Sequence, residues 1–419
     1  KALGLYEIEG GIPLDGEVCI QGSKNAVLPM MAAALLQNGT LCLKGCPDIL
    51  DVQCMEQILK SIGARVKRDA NDIYLDCSNI YSEVIPGAYA DQMRSSVILM
   101  GALLGRKKRV QIGLPGGCTI GKRPVDLHLL VLEKLGAHLT VEDGEIKGYA
   151  DEMKGGYFRF ERRSVGATEN GILGAVCADG VTVLENCARE PEIVHLCRLL
   201  RAMGAKIKGE ESGRIIIEGV SVLTETSFQV PADRIVAGTY LLAGAATRGK
   251  ITLDNAPEEE MSALLSVYYK MGGQYEVKGG KLLTDSRNLK YPAAYLETEE
   301  YPGFPTDLQS PFLAVCAGVP GMSQVNETIF ENRFKAALQM RKMGADIQIE
   351  GSTAVVHGCP LYGADVEACD LRGGAALIVA GLCAKGTTRI RGIHHIERGY
   401  QDVCGDIQSL GGRIMRKID

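Results

Sequence analysis

One short phrase returns six times along the chain, and this repeat constrains the fold more than any other feature of the sequence. The copies read LKSIGARV, LEKLGAHL, LRAMGAKI, YYKMGGQY, MRKMGADI and IQSLGGRI. The glycines that they share are Gly63, Gly136, Gly204, Gly272, Gly344 and Gly411. Successive glycines lie 67 to 73 residues apart, so the 419 residues hold six units of similar length.

Each phrase has the pattern of a helix that ends at a glycine. Apolar residues recur at helical spacing before it, a polar or basic residue occupies the last turn, and glycine can adopt the left-handed conformation that stops a helix. For the first copy we predict that Asp51 caps a helix that ends near Gly63. The apolar face of that helix consists of Val52, Met55, Leu59 and Ile62.

The remainder of the unit is predicted to form strands and a second helix. Residues 40–44, 65–68 and 73–76 are short alternating segments typical of strands, and residues 25–37 form a more apolar helix. The unit is therefore β-α-β-α-β-β, and its apolar helix must be buried against its neighbours. We predict an α/β protein with two halves of three units each, helices inside and sheets outside. Composition places their boundary near residues 229–234.

The composition excludes several classes of protein. The chain has 46 Lys and Arg residues against 51 Asp and Glu residues, a net charge of −5, and 46% hydrophobic residues. A chain this apolar can bury a large core, and the charge balance argues against a nucleic-acid or membrane-surface protein. The longest apolar stretches fall short of the roughly 18 residues that suggest a membrane-spanning helix. A small anionic substrate remains open.

Cysteines and histidines do not form a metal-binding pattern. The 14 cysteines include no C-x-x-C pair, and the six histidines are scattered. Without an export signal, most of the cysteines are expected to be reduced, buried and cytosolic, although the first residue is Lys and a trimmed start is open. We therefore expect no bound metal and a cytoplasmic location.

Unusual polar residues stand where the first helix of each unit should begin. Helix N-termini offer unpaired N–H groups and a positive dipole end, which suit phosphate or carboxylate ligands. The alternative, that these residues are solvated caps or surface charges, stays open at this point. The residues are Lys24, Asn25, Arg94, Ser164, Arg234, Asp307 and Arg372.

The segment at residues 113–124 differs from its counterparts in the other units. Four glycines and two prolines surround Cys118, which predicts an exposed loop rather than a core cysteine. Lys122 and Arg123 follow closely and would favour a reactive thiol. Pro124 fits the first position of the next helix. Cys118 is either chemically active or an incidental loop thiol.

Further arginines accompany helix starts and glycines in the second half of the chain. Arg333 belongs to the fifth unit, and Arg372 and Arg398 belong to the sixth. The simpler interpretation makes them surface partners of nearby acidic caps. Their density instead suggests that positive charges converge on facing sides of two domains, where they would bind a doubly charged metabolite.

The sequence resembles the enolpyruvyl transferases, and among them those that act on UDP-N-acetylglucosamine. The resemblance covers essentially the whole chain and is specific. It is carried by GSKNAVLP (22–29), QMRSS (92–96), LPGGCTIGKRPVDLH (114–128), SVGATEN (164–170), AREPEIV (188–194), FPTDLQ (304–309), ETIFENRF (327–334), DLRGGAALIVAG (370–381) and HIERGY (395–400).

The resemblance implies a two-domain inverse α/β barrel, which agrees with the six units counted above. It implies that residues 1–22 join residues 232–419 in one domain. Residues 23–231 form the other domain and carry the Cys118 loop as a lid. The active site is expected in the cleft between the two.

The resemblance also implies a reaction and its binding residues. The enolpyruvyl group of phosphoenolpyruvate is transferred to the 3-hydroxyl of UDP-N-acetylglucosamine and phosphate is released, the first committed step of peptidoglycan synthesis. The residues implied for phosphoenolpyruvate are Lys24, Asn25, Arg123, Arg333, Arg372 and Arg398. Those implied for the nucleotide sugar are Arg94, Arg123, Pro124, Val125, Asp126, Leu127, Arg162, Ser164, Val165, Gly166, Asp307 and Ile329. Related enzymes can carry Lys in place of Arg162.

Catalytic roles follow from the same resemblance. Asp307 is expected to act as the base, Cys118 as the proton donor that can also form a covalent adduct, and Lys24 and Arg398 as charge partners. No cofactor, nucleic-acid partner or membrane partner is expected, and the protein should be a monomer. Fosfomycin is expected to alkylate Cys118. The alternatives are a shikimate-pathway enolpyruvyl transferase and a non-catalytic paralogue that binds nucleotide sugars.

Overall fold

The computed structural model describes residues 4–115, 124–290 and 292–418. Backbone contacts group the described residues between 22 and 231 into one compact unit, called unit I here. Residues 4–21 and 232–418 form the second, called unit II. The amino-terminal segment therefore belongs with the carboxyl-terminal half of the chain.

Strands and helices alternate along the described residues. The strands are β1 (Gly4–Glu9), β2 (Asp15–Cys19), β3 (Thr40–Lys44), β4 (Arg65–Asp69), β5 (Asp72–Asp76), β6 (Val84–Ile85), β7 (Arg109–Gly113), β8 (His138–Glu142), β9 (Glu145–Tyr149), β10 (Tyr157–Arg159), β11 (Val181–Glu185), β12 (Lys206–Lys208), β13 (Arg214–Glu218), β14 (Thr226–Gln229), β15 (Lys250–Asp254), β16 (Gln274–Lys278), β17 (Lys281–Asp285), β18 (Tyr295–Glu297), β19 (Gly321–Asn326), β20 (Asp346–Glu350), β21 (Thr353–Gly358), β22 (Asp365–Glu367), β23 (Thr387–Arg391) and β24 (Arg413–Ile418). The helices are α1 (Lys24–Ala33), α2 (Leu50–Ser61), α3 (Gly87–Gln92), α4 (Leu99–Lys107), α5 (Asp126–Lys134), α6 (Val165–Ala175), α7 (Pro191–Ala202), α8 (Arg234–Ala246), α9 (Ser262–Lys270), α10 (Gln309–Gly318), α11 (Lys335–Lys342), α12 (Leu371–Cys383) and α13 (Val403–Ser409).

The strands form six four-stranded sheets with one shared pattern. In unit I the orders are β14-β3-β5-β4, β6-β7-β9-β8 and β10-β11-β13-β12. In unit II they are β16-β17-β15-β2, β18-β19-β21-β20 and β22-β23-β1-β24. Each sheet has one parallel edge strand and otherwise antiparallel pairs. This regularity confirms the predicted β-α-β-α-β-β unit.

The first and fourth of the six repeats exchange their first strands. Strand β2 precedes α1 in the chain but pairs with β15, whereas β14 precedes α8 but pairs with β3. Strand β1 likewise completes the sheet of β23 and β24. Edge pairing uses backbone groups that every residue carries, so the sequence period by itself does not reveal which strand fills an edge.

Each unit has three apolar helices at its centre. In unit I they are α1, α4 and α6, and α4 contacts both of the others. In unit II they are α8, α10 and α12, and all three contact one another. Nearly all of their residues are buried, whereas the strands alternate buried and exposed positions. The predicted arrangement of helices inside and sheets outside is confirmed. No helix in the described ranges is long and apolar enough to cross a membrane.

The six repeated glycines adopt the predicted left-handed conformation. Their φ angles lie between 82° and 116°. In each case the glycine follows the end of an amphipathic helix and turns the chain into the next strand. A residue with a Cβ is strained in this region, which explains why glycine recurs there.

Two sequence predictions about helix starts are wrong. Helix α2 begins at Leu50 after Ile49, so Asp51 lies inside the first turn instead of capping it. Helix α5 begins at Asp126 after Val125, so Pro124 precedes the helix instead of occupying its first position. The Asp51 carboxylate instead forms an ion pair with Lys24.

We predict that Gly204→Ala destabilises the protein through its backbone alone. Gly204 has a φ of 105°, and an added Cβ would meet no atom within 4 Å, so only conformational strain of about 1–2 kcal/mol is introduced. Gly87 also has open space around it but lacks the positive φ, which makes Gly87→Ala the matched control. Urea denaturation should show a lower midpoint for the first variant only, and equal midpoints would contradict the prediction.

Candidate active site

The first helix of unit I begins at a buried ion pair. Ser23 caps α1, accepting a hydrogen bond from the amide of Ala26 at 3.3 Å, and Lys24 and Asn25 are the first residues of the helix. The ammonium of Lys24 lies 2.7 Å from Oδ2 of Asp51, and these side chains are 12% and 4% exposed. A lysine at a helix N-terminus faces the positive end of the helix dipole, and the Asp51 carboxylate offsets that repulsion.

A buried histidine lies beside the predicted nucleotide-sugar residues of unit I. The Asn170 side chain accepts a hydrogen bond from the amide of Gly101 at 2.8 Å and donates one to the carbonyl of Val97 at 2.9 Å. The same amide nitrogen lies 2.8 Å from Nδ1 of His128. Because Asn170 presents a donor there, Nδ1 is the acceptor and the proton is on Nε2.

The environment of His128 keeps its ring neutral. Burial, reinforced by the charge of Arg94, lowers the pKa of His128 to about 4, and Asp126 opposes the shift only weakly. Arg94 begins the short 3₁₀ helix Arg94–Ile98 and is half-buried. A neutral histidine here can donate one hydrogen bond through Nε2 without adding charge.

The start of α6 is next to this histidine. Ser164 caps the helix and accepts a hydrogen bond from the amide of Ala167 at 3.3 Å, and Val165 and Gly166 are the first helical residues. A Cβ built on Gly166 would lie 2.9 Å from Cε1 of His128, so the glycine permits this close approach. The open N–H groups of the first turn of α6 are suited to an anion.

The other predicted nucleotide-sugar residues of unit I surround the start of α5. Both carboxylate oxygens of Asp126 accept hydrogen bonds from Nη2 of Arg162, at 2.6 and 2.8 Å, and this contact lowers the pKa of Asp126. Both side chains are about half exposed, so the pair stabilises the fold little. Pro124 is exposed, Val125 is half-buried and Leu127 is buried.

In unit II a carboxylate bridges two buried arginines. Nη2 of Arg333 donates to Oδ1 of Asp307 at 2.6 Å, and Nη2 of Arg372 donates to Oδ2 at 2.9 Å. The arginine side chains are 3% and 5% exposed, whereas that of Asp307 is 25% exposed. The structure therefore brings three predicted site residues together, with the carboxylate on the solvent side of the two guanidinium groups.

A second buried carboxylate holds the segments that carry Asp307. Glu327 accepts hydrogen bonds from the hydroxyl groups of Thr298 and Thr306 and from the amides of Ile329 and Phe330. Glu327 is 3% exposed, so these contacts are shielded from water. Through them it ties the turn before Asp307 to the loop that contains Ile329.

Arg372 is held by the start of α12 and by its charged neighbours. Asp370 caps the helix and accepts hydrogen bonds from the amides of Arg372 and Gly373. Burial acts to lower the pKa of the Arg372 guanidinium, but the charges of Asp307, Tyr400 and Asp233 raise it above its ordinary range. Arg372 therefore stays fully charged although it is buried.

Tyr400 and Arg398 belong to the last predicted motif. The hydroxyl of Tyr400 lies 2.7 Å from that of Thr239 on α8, and burial raises the pKa of Tyr400. Arg398 is half-buried in the turn before it. Burial, followed by the charges of His394 and Arg398, lowers the pKa of His395. Cys118 and Arg123 lie outside the described residues, so the roles expected for them stay predictions.

The arrangement can bind anions through two kinds of donor. Arg333 and Arg372 offer buried guanidinium groups that match the planar geometry of a carboxylate. The starts of α1 and α6 offer backbone N–H groups, with Lys24 at the first of them. These groups are chemically suited to phosphate and carboxylate ligands, and their assignment to particular substrates stays a prediction.

Sequence reasoning missed three residues that support these groups. The sequence predicts a capping role for Asp51 and assigns no role to His128 or Glu327. Their signal is weak in a sequence, because each acts through a partner distant in the chain: Lys24, Asn170 and Thr298, respectively.

Comparisons with known proteins show the family of the chain. The family model described as EPSP synthase (3-phosphoshikimate 1-carboxyvinyltransferase) matches residues 8–407. The UDP-N-acetylglucosamine 1-carboxyvinyltransferase 2 of Caldanaerobacter subterraneus subsp. tengcongensis is 44% identical over 417 residues, covering 99% of this chain and 100% of the relative. The UDP-N-acetylglucosamine 1-carboxyvinyltransferase of Clostridium botulinum is 41% identical over 413 residues, covering 98% of this chain and 99% of the relative.

Two solved structures share the fold. The enolpyruvyl transferase NikO from Streptomyces tendae superposes with a TM-score of 0.90 at 22% identity, and all of both chains is covered. EPSP synthase from Acinetobacter baumannii superposes with a TM-score of 0.75 at 18% identity, covering 99% of this chain and 100% of the other. Both confirm the predicted inverse α/β barrel architecture.

We predict that Asp51→Asn destabilises unit I, because it leaves the ammonium of Lys24 without its buried counter-charge. Breaking a buried ion pair costs about 3 kcal/mol. Glu218→Gln is the control, since Glu218 pairs with Lys206 at 2.5 Å but both side chains are more than half exposed. The midpoint of urea denaturation should fall clearly for Asp51→Asn only. Similar shifts for both variants would show that burial of the first pair is unimportant.

We also predict that His128 makes unfolding depend on pH. The unfolded histidine has a pKa of about 6.5, and the folded value is about 4, so the stabilisation is complete above pH 6.5 and decreases as the pH falls toward 4. The expected loss is about 3 kcal/mol. His128→Gln should flatten this slope when the free energy of unfolding is measured between pH 4 and 7, and an unchanged slope would refute the prediction.

Proposed function

Because this chain belongs to the EPSP synthase family of enolpyruvyl transferases, we propose that it transfers the enolpyruvyl group of phosphoenolpyruvate to the 3-hydroxyl of UDP-N-acetylglucosamine. The observation that carries the proposal is the 44% identity over 417 residues to a UDP-N-acetylglucosamine 1-carboxyvinyltransferase. The product would enter peptidoglycan synthesis in the cytoplasm. We further propose that the protein acts as a monomer and that residues of both units serve the same reaction.

The charges of the two units support this choice of substrates. Both substrates are anions, and the described residues that the resemblance assigns to them include Lys24, Arg333 and Arg372, each of which is at most 12% exposed in its side chain. Buried cations of this kind bind anions strongly because little water competes for them. The N-termini of α1 and α6 add uncharged donors for phosphate oxygens.

The first step of the proposed reaction is an addition. The oxygen of the sugar 3-hydroxyl forms a bond to C2 of phosphoenolpyruvate, and its proton passes to the carboxylate of Asp307. The C2–C3 double bond is broken, and C3 takes a proton from the thiol of Cys118. Lys24, Arg333, Arg372 and Arg398 stabilise the phosphate and carboxylate charges of the tetrahedral intermediate.

The second step is an elimination. C3 returns a proton to the thiolate of Cys118, the C2–C3 double bond forms again, and the bond between C2 and the phosphate oxygen breaks. The proton held by Asp307 leaves with the inorganic phosphate. No electron or hydride is transferred, and the donor already carries an activated leaving group. The chemistry therefore needs no metal ion or organic cofactor.

We predict that the protein releases phosphate from phosphoenolpyruvate only when UDP-N-acetylglucosamine is present. Shikimate 3-phosphate is the control acceptor, because the matching family model is described by that activity. Phosphate release measured by a coupled assay should be fast with the nucleotide sugar and at background with shikimate 3-phosphate. Release with shikimate 3-phosphate, or with neither acceptor, would refute the proposal.

Substitutions separate catalysis from binding in the same assay. Asp307→Ala and Cys118→Ser should each reduce turnover by about 100-fold or more, because each removes a proton-transfer group. Binding of UDP-N-acetylglucosamine to Asp307→Ala should remain measurable by calorimetry. Unchanged turnover of either variant would exclude its residue from the assigned role.

Fosfomycin should alkylate Cys118 alone among the 14 cysteines in peptide mass mapping.

A further inference from the structure

We propose that Asp307 occupies the place of the donor's carboxylate in the unliganded protein and becomes available as a base only when a carboxylate displaces it from Arg333 and Arg372. The proposal concerns how the donor activates the site, and its catalytic part rests on the proposed function. Its structural part, exchange of one carboxylate for another on the two arginines, stands on the geometry of unit II alone.

The hydrogen bonds show what Asp307 occupies. Each oxygen of its carboxylate accepts a bond from the Nη2 atom of one arginine, at 2.6 and 2.9 Å. A carboxylate that approaches a guanidinium group side-on uses Nε and Nη2 of the same arginine. An incoming carboxylate that takes this position on Arg333 must therefore displace Asp307 from Nη2.

A second observation points to a missing acceptor at the same place. Nε of Arg333 is buried and has no hydrogen-bond partner among the described residues. A buried donor without a partner is costly, and in native proteins it commonly marks a position that a ligand or water fills. Asp307 therefore accepts a hydrogen bond from Nη2 of Arg333 but not from Nε, whereas an incoming carboxylate could accept from both atoms.

The burial of the three groups explains why the site needs an internal occupant. Two guanidinium groups with side chains that are 3% and 5% exposed would repel each other if no anion lay between them. Asp307, at 25% exposure, is the most solvent-accessible of the three groups and therefore the one that an incoming anion meets first. Phe330 covers Arg333 on another side, with its ring centroid 5.5 Å from the guanidinium carbon.

If Asp307 is released in this way, only a donor that carries a carboxylate can activate the base. A carboxylate that accepts hydrogen bonds from two cations is a poor proton acceptor, whereas the same group released from them can accept a proton. An enol phosphate that lacks a carboxylate would leave Asp307 on the arginines. The base would thus act only after the correct donor has bound, which adds specificity at the proton-transfer step.

Carbon NMR of the wild-type protein tests the exchange directly. With aspartate labelled at the side-chain carboxyl carbon, the Asp307 signal is assigned by its absence in Asp307→Asn. Pyruvate, which has the carboxylate but no phosphate, should shift this signal, whereas inorganic phosphate should leave it in place. A signal that stays unchanged at saturating pyruvate, with binding verified by calorimetry, would overturn the proposal, as would a failure of pyruvate to bind.

Affinity gives an independent measurement. Since pyruvate must displace Asp307, Asp307→Asn should bind pyruvate at least tenfold more tightly than the wild type. Asp285→Asn is the matched control, because the Asp285 carboxylate bonds the exposed Arg287 at 2.5 Å, and it should leave pyruvate affinity unchanged. Unchanged or weaker binding by Asp307→Asn would contradict the exchange.

These measurements fail separately from the proposed function. None of them uses the nucleotide sugar, so a protein that shows the exchange but does not release phosphate with UDP-N-acetylglucosamine refutes only the proposed acceptor. A protein that turns over with UDP-N-acetylglucosamine but holds Asp307 on the arginines in the presence of pyruvate refutes only the exchange. If Asp307→Asn does not fold, Asp307→Glu also lacks the labelled aspartate and supplies the assignment, so the wild-type titration with pyruvate and phosphate still decides.

Discussion

Burial of three apolar helices in each unit is the constraint on which the rest of the structure depends. Helices α8, α10 and α12 expose almost no surface, and so they can be stable only when neighbours cover them on every side. Four-stranded sheets supply the cover, with one buried and one exposed face. Each repeated glycine ends an outer helix and turns the chain directly into the next strand of a sheet.

The same packing places the charged groups of the candidate site. Asp307 lies in the turn before α10 and Arg372 in the first turn of α12, and because these helices contact each other the two side chains meet. In unit I the contact between α5 and α6 brings His128 to Asn170. Charged residues at helix starts can face an anion without interrupting the apolar surfaces, so binding and stability use different parts of the same helix.

Each buried cation of the candidate site has a carboxylate partner in the same unit. Asp51 compensates Lys24, and Asp307 compensates Arg333 and Arg372. Such pairs allow the cations to remain charged away from water until a substrate anion arrives. The two partners differ in exposure, since Asp51 is almost fully buried whereas Asp307 is partly exposed. This difference suits a permanent support in the first case and an exchangeable group in the second.

Local spacing and backbone preference are enough to predict the six-fold unit, the helix-ending glycines, the apolar central helices and the types of residue at the helix starts. Long-range packing sets which strands are exchanged, that Asp51 supports Lys24 instead of capping α2, and that Asp307 bridges two arginines. These features join residues that lie 26 to 235 positions apart, from Asp307 with Arg333 to Asp15 of β2 with Lys250 of β15. Contacts over such separations arise only when the apolar helices pack, since no local pattern records which partner the fold brings near.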